Sequence, residues 1–175
     1  SNIRNNWKLE EVLELFNKPF NELLFQAHDT HIQNHKKDMV QVCTLLSIKT
    51  GGCPEDCGYC SQSIHSDDPI EATPLMSLEE VKKQATLARD QGSTRFCMGA
   101  AWRRPSNKNI DRVIKMIDVV HDLGMESCVT LGMLSEDQAV RLSKSGLNYY
   151  NHNLDTSREY YTKVISTRNY QDRLN

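Results

Sequence analysis

Apolar residues follow helical spacing through the first 38 residues, where two short amphipathic helices are predicted. Pro19 separates the helices, because the residue before a proline is pushed out of helical geometry. The apolar faces consist of Leu9, Val12, Leu13 and Phe16 in the first helix and Phe20, Leu23, Leu24 and Ala27 in the second. The pattern therefore predicts an N-terminal helical segment, residues 1–38, ahead of a differently organised region, residues 39–175.

In that second region, apolar segments of strand length alternate with amphipathic helices. Helices are predicted to begin at Ser77, near Asn107 and at Ser135, and each ends at a glycine shortly before the next apolar segment. The predicted strands are 42–49, 94–100, 126–132 and 148–155. Regular alternation of strands and helices favours an α/β fold with a parallel sheet.

Side-chain alternation gives each predicted strand one largely apolar face and one face that carries polar or sulfur groups. The second kind of face consists of Cys43, Leu45, Ser47 and Lys49, then Arg95, Cys97 and Gly99, then Glu126, Cys128 and Thr130, then Tyr149, Asn151, Asn153 and Asp155. A doubly wound open sheet, buried on both sides, is one architecture that fits. A barrel fits better, because its apolar strand faces pack on the outer helices and its other faces line the interior. A (β/α)8 TIM-type barrel takes about 250 residues. We therefore expect the first half of such a barrel, with the chain truncated at its C-terminus.

Composition changes this picture little. The chain has a 38% hydrophobic fraction, a 25% charged fraction and a net charge of −2, so nothing points to a nucleic acid or an anionic membrane as partner. No apolar run approaches the roughly 20 residues of a membrane span, and the N-terminus lacks a signal-peptide pattern. These features predict a cytoplasmic protein.

Three of the six cysteines, Cys53, Cys57 and Cys60, stand within eight residues directly after the first predicted strand. Their CxxxCxxC spacing allows three thiolates to bind three corners of a 4Fe–4S cluster, which usually takes four cysteines. The remaining iron is then open to a substrate or cofactor. Structural zinc is the main alternative, although it normally has four ligands. Chance clustering is the other.

The motif, with Tyr59 just before its last cysteine, resembles that of the radical S-adenosylmethionine (radical SAM) superfamily. The resemblance implies a partial or full α/β barrel whose open iron chelates the amino and carboxylate groups of S-adenosylmethionine. One-electron cleavage of that cofactor then yields a radical that removes hydrogen from an unactivated carbon.

Longer segments at residues 47–57, 92–102 and 149–156 resemble the biotin synthase family, and the likeness runs from about residue 7 to the end. It implies a sulfurtransferase that inserts sulfur into dethiobiotin in the last step of biotin biosynthesis. It also implies a 2Fe–2S cluster, bound here by Cys97 and Cys128, with the other cysteine and an arginine beyond residue 175. The family is usually homodimeric and uses an electron donor such as flavodoxin. We expect residues 1–175 alone to be inactive.

The same resemblance suggests positions that contact small molecules. The expected cofactor-binding residues are Tyr59, Gly99, Ala100, Ala101, Trp102, Asn153 and Asp155, and the expected substrate-binding residues are Asn151 and Asn153. A solvated strand face and an ordinary strand-end turn are the plainer interpretations. Arg95 lies either near the small cluster or in a salt bridge to Glu126. Cys43 matches no family ligand, and we interpret it as a core residue.

Two other functions stay open at this point. Another radical SAM enzyme would keep the three-cysteine loop, but it would have no reason to place Cys97 and Cys128 in the barrel interior. A non-catalytic scaffold would use the loop only to hold an iron–sulfur cluster or zinc.

Overall fold

The computed structural model describes residues 4–175, which divide into two units at Val40/Gln41. In the first unit, α1 spans Leu9–Phe16 and α2 spans Phe20–Asn34. Pro19 is the residue before α2 and has extended backbone angles, φ −53° and ψ 136°. The two helices predicted from the apolar periodicity are therefore confirmed.

The second unit holds a four-stranded parallel sheet in which every strand pairs with the next one along the chain, in the order β1-β2-β3-β4. A doubly wound sheet reverses its strand order at a switch point. The order among residues 4–175 shows no reversal, so it matches successive strands of a barrel. The elements are β1 (Cys43–Lys49), α3 (Leu78–Asp90), β2 (Arg95–Ala100), α4 (Asn107–Asp122), β3 (Glu126–Thr130), α5 (Glu136–Lys144), β4 (Tyr149–Tyr150), α6 (Tyr161–Val164) and α7 (Tyr170–Leu174).

One face of the sheet packs on α3, α4 and α5 and forms the core. Ile48, Phe96, Met98 and Val129 lie on that face and are at most 1% exposed. They have the strand parity that the sequence predicts for the apolar face. The largest helix contributions are Val81 and Ala85 of α3, Ile110, Val113, Met116, Ile117 and Val120 of α4, and Leu142 of α5.

Serine caps fix the starts of the three outer helices. The hydroxyls of Ser77, Ser106 and Ser135 accept hydrogen bonds from the backbone N–H three residues on, at 3.1, 3.2 and 3.3 Å. Such a cap satisfies one of the N–H groups that a helix start leaves free. The bounds of α3, α4 and α5 agree with the predicted helices, including the glycines shortly after their ends.

The third and fourth strands are shorter than predicted. β3 ends at Thr130, because Gly132 adopts φ +84° and turns the chain. β4 is limited to Tyr149–Tyr150, and its last bond to the sheet runs from Asn151 N to Val129 O (2.9 Å). Since β3 ends so early, the chain after Asn151 has no strand to pair with. The prediction of a strand through Asp155 was wrong.

Among residues 4–175, no helix is both long enough and apolar enough to cross a membrane.

Candidate functional site

A cleft of about 590 Å³ opens at the carboxyl ends of β1, β2 and β3. This is the end of a parallel α/β sheet or barrel at which ligands bind. The cleft brings together three groups that the sequence identified separately, namely the loop cysteines, the small residues at the carboxyl end of β2 and Asn153. Its predicted lining residues are Cys53, Cys57, Cys60, Gly99, Ala100, Ala101, Trp102 and Asn153.

The cysteine loop is held together by its own backbone. Cys53 N donates to Gln62 O and Ile64 N donates to Cys53 O, both at 2.9 Å, while Cys60 N donates to Cys57 O at 2.9 Å. All three cysteines are free thiols of intermediate exposure. The loop therefore presents its thiols to one cleft rather than dispersing them.

Gly51 sets the direction in which the chain leaves β1. It adopts φ +66°, and a Cβ at this position would lie 2.4 Å from Ile70 O and 2.7 Å from Glu71 O. Only glycine fits a left-handed residue with backbone packed so closely against it. Next to it, the Lys49 ammonium donates to Gly51 O and to Ala101 O, so a cation braces the loop against the end of β2.

The loop supplies three thiols as metal donors. Within residues 4–175, no three His, Cys, Asp or Glu side chains converge on a position for one metal ion. A four-iron cluster does not need such convergence, because its thiolates bind different irons. Burial raises the pKa of the Cys53 and Cys57 thiols, so binding of a cationic iron cluster would be accompanied by proton release.

A buried ionic group adjoins the thiols. Arg168, whose side chain is 6% exposed, pairs with Glu55 at 3.1 Å and with Asp155 at 2.9 Å. It also donates to the Cys57 sulfur at 3.3 Å and to the Tyr161 hydroxyl at 3.0 Å. Burial alone would lower the pKa of Arg168, but the hydrogen bonds to Asp155 and Tyr161 raise it, so the guanidinium is charged.

Tyr59 and Asp155, two of the expected cofactor contacts, bind each other. The Tyr59 hydroxyl donates to Asp155 at 2.6 Å, and the Asp155 side chain is only 4% exposed. Asp155 has φ +71°, the one left-handed non-glycine residue among the described residues. The structure places this pair beside the cleft, whereas Asn153 lines it directly.

A second group of thiols lies on the sheet face opposite the helices, as strand parity predicts. Cys97 and Cys128 are direct register partners on β2 and β3, 8% and 3% exposed. Cys43 Sγ lies 3.3 Å from Cys97 Sγ, and the Asn151 amide donates to Cys128 Sγ at 3.3 Å. Burial raises the pKa of the Cys97 thiol, and its hydrogen bonds with Cys128 and Cys43 raise it further.

Of the two interpretations of Arg95, the salt bridge is the one observed. Its guanidinium binds Glu126 at 2.9 Å and stacks over the Tyr149 ring, 3.7 Å from the ring centre.

Sequence reasoning missed three charged residues of the cleft, namely Glu55, Arg168 and Arg173, whereas it placed Lys49 on the inner face of the first strand. The sequence did contain a signal for Glu55, because this carboxylate lies between two cysteines of the motif. No signal existed for Arg168, since its contacts with Glu55 and Cys57 span more than 110 residues. Pairings of that range depend on the fold.

The chain is similar in sequence to a known family and to proteins of known name. A family model described as the radical SAM superfamily matches residues 47–175. Proteins named biotin synthase from Erythrobacter litoralis (strain HTCC2594) and Thioalkalivibrio sulfidiphilus (strain HL-EbGR7) are 57% and 58% identical to this chain. Those alignments cover 98% and 99% of the chain but only 50% and 51% of the two relatives. The chain thus spans about half the length of the curated relatives it matches.

A crystal structure of methylornithine synthase superposes with a TM-score of 0.71 at 16% identity, covering 95% of this chain and 50% of that one. At that identity the likeness concerns the fold alone. It agrees with the predicted first half of a TIM-type barrel.

Proposed function

Because the chain belongs to the radical SAM superfamily, we propose that it forms the cluster-binding half of a biotin synthase, which inserts sulfur into dethiobiotin. The observation that carries the proposal is the pairing of two thiol sites in one half-barrel. One site is the three-cysteine loop on the cleft, and the other is the register pair Cys97 and Cys128 behind it. The identity to proteins named biotin synthase supports the same substrate.

Cys53, Cys57 and Cys60 would hold the 4Fe–4S cluster, and the open side of the cleft would admit S-adenosylmethionine. Bound together, the two would supply the one-electron chemistry that removes hydrogen from a saturated carbon. The chain itself positions the loop, through Gly51 and the Lys49 brace, and lines the cleft with side chains that exclude water.

The residues at the carboxyl end of β2 would bind the cofactor through their backbone. Gly99, Ala100 and Ala101 have small side chains, so a ligand can approach the chain closely there, with Trp102 at the edge of the cleft. The Asn153 amide can both donate and accept. Asp155 accepts from Tyr59 and Arg168, and an ionised carboxylate has further acceptor positions for a ribose hydroxyl.

Cys97 and Cys128 would hold part of a 2Fe–2S cluster, which supplies the sulfur atom for insertion. Asn151 would orient one of these ligands through its hydrogen bond to the Cys128 sulfur. Asn151 and Asn153 are the proposed contacts for the ureido ring of dethiobiotin. We further propose a cytoplasmic homodimer reduced by a flavodoxin-type donor, and six unpaired cysteines agree with a reducing compartment.

The test compares Cys97→Ala and Cys128→Ala with Cys43→Ala in the full-length protein, reconstituted without oxygen. Cys43 is the matched control, because its sulfur touches Cys97 but is not a proposed ligand. We expect the first two variants to lose 2Fe–2S absorbance and biotin formation while the loop cluster persists. Cys43→Ala is expected to retain both. Full 2Fe–2S absorbance in Cys97→Ala and Cys128→Ala would contradict the assignment.

A further inference from the structure

Two adjacent acidic residues inside the cysteine motif tie the loop to a distant segment. Asp56 accepts hydrogen bonds from the backbone N–H of Ser166 and of Thr167, at 2.9 and 3.1 Å, and from the Ser166 hydroxyl. The Glu55 carboxylate, whose side chain is 4% exposed, accepts from Thr167 and pairs with Arg168. Glu55 and Asp56 lie between Cys53 and Cys57, so the contacts that fix these two acidic residues also fix the spacing of the two thiols.

Arg168 has the central position in this contact. Its guanidinium reaches Glu55 and Asp155 on two different segments and the Cys57 sulfur as well. Five donors in a rigid fork allow one arginine to make all of these contacts, which a lysine cannot do. We propose that Arg168 is a positioning residue of the cysteine loop and that its hydrogen bond to Cys57 raises the reduction potential of the cluster bound there. The inference rests on the proposed 4Fe–4S site.

The expected direction follows from charge. A hydrogen bond to a cluster thiolate stabilises the reduced cluster, which carries one more negative charge. The surroundings also contain two buried carboxylates, Glu55 and Asp155, each 4% exposed and both paired with Arg168. Glu55 is also paired with Arg103 at 3.1 Å, and Asp155 with Arg173 at 3.7 Å. Loss of the arginine would therefore remove a hydrogen-bond donor and one positive charge close to the cluster, and each carboxylate would keep only one ion-pair partner. Both changes make the cluster harder to reduce.

Removing the charge of Arg168 and removing the charge of Glu55 are expected to shift the reduction potential in opposite directions. Arg168→Gln is expected to shift the midpoint potential of the loop cluster downward. Glu55→Gln removes an anion while it keeps the side-chain shape, so it is expected to shift the potential upward. Arg168→Lys retains the charge without the fork and is expected to fall between wild type and Arg168→Gln. A merely structural role would not produce shifts of opposite sign.

The experiment is a redox titration of the reconstituted full-length protein, followed by the electron paramagnetic resonance signal of the reduced cluster. The matched control is Arg141→Gln, which also removes one guanidinium from an ion pair, with Asp111 on the outer helices, away from the cleft. It is expected to leave the potential unchanged. If Arg168→Gln does not retain a cluster, the other two variants test the inference. Glu55→Gln is then expected to raise the midpoint potential and Arg168→Lys to lower it.

Potentials equal to wild type in the Arg168 and Glu55 variants, or shifts in one common direction, would overturn the inference while leaving the proposed function intact. A wild-type protein whose loop takes up no 4Fe–4S cluster would instead overturn the proposed function itself.

Discussion

Asp56 shows how a single residue of the motif contributes to stability. Hydrogen bonds from the Ser166 hydroxyl, and then from the Ser166 and Thr167 backbone, hold the pKa of this carboxyl well below its usual range, against the opposing effect of burial. A lowered folded-state pKa stabilises the fold above the unfolded-state pKa of about 3.9. That stabilisation is lost only as the pH falls through the lower folded-state value.

We therefore predict that Asp56→Asn lowers the free energy of unfolding of the cluster-free protein at pH near 7. The amide replaces an acceptor with a donor that faces the N–H groups of Ser166 and Thr167. Because the site is partly exposed and screened, we expect about 1 kcal/mol. Urea denaturation measures it, with Asp111→Asn in an exposed surface pair as control. The prediction is wrong if both variants change stability equally, or if the Asp56→Asn effect does not shrink in strong acid.

At the scale of elements, glycines fix where the strands give way to the loops of the cleft. Gly132 ends the segment after β3 at φ +84°, and a Cβ there would lie 2.4 Å from Trp102 O and 2.5 Å from Arg103 O. Gly92, which follows α3, adopts a similar φ of +93° but has no atom within 4 Å of the same position. Alanine substitutions at Gly92 and Gly132 therefore distinguish the cost of a left-handed backbone from the cost of a steric clash.

Gly92→Ala is predicted to cost about 1–2 kcal/mol, the strain of a left-handed alanine. Gly132→Ala adds a clash with backbone that cannot rotate away, by roughly a further 1–3 kcal/mol on the scale of overpacked sites. Unfolding of the two variants in urea gives both values. Gly132→Ala should also open the cleft and weaken S-adenosylmethionine binding, measured by calorimetry on the reconstituted protein. Equal destabilisation by the two substitutions would contradict the steric argument.

How far the sequence predicts these elements depends on the range of the interactions. Capping serines, apolar stripes and terminal glycines act within a few residues, so α3, α4 and α5 could be placed from sequence. Strand parity is equally local, and it put Cys97 and Cys128 on one face. The extent of β4 depends instead on where its neighbour β3 ends. The contacts of Arg168 with Glu55 and Cys57 join residues that are more than 110 positions apart, so they form only when the chain folds. Neither leaves a pattern in sequence.

At the scale of the whole molecule, the sheet carries α3, α4 and α5 on one face. The opposite face holds the thiol group of Cys43, Cys97 and Cys128 and leaves Leu45 71% exposed. Parallel sheets are almost always covered on both faces. A closed barrel turns such a face into an interior, where a cluster and an oxygen-sensitive radical reaction are shielded from solvent. The roughly twofold length of the curated relatives agrees with such a barrel.

Three thiolates of the loop are proposed to bind a four-iron cluster and to leave one iron free for S-adenosylmethionine. Mössbauer spectroscopy of the iron-enriched full-length protein, with and without the cofactor, tests this proposal most directly. Cofactor addition is expected to change the isomer shift of one of the four irons in the loop cluster. Cys57→Ala is expected to abolish that cluster. Spectra that do not respond to the cofactor, or a loop that contains zinc instead of iron, would contradict the proposal.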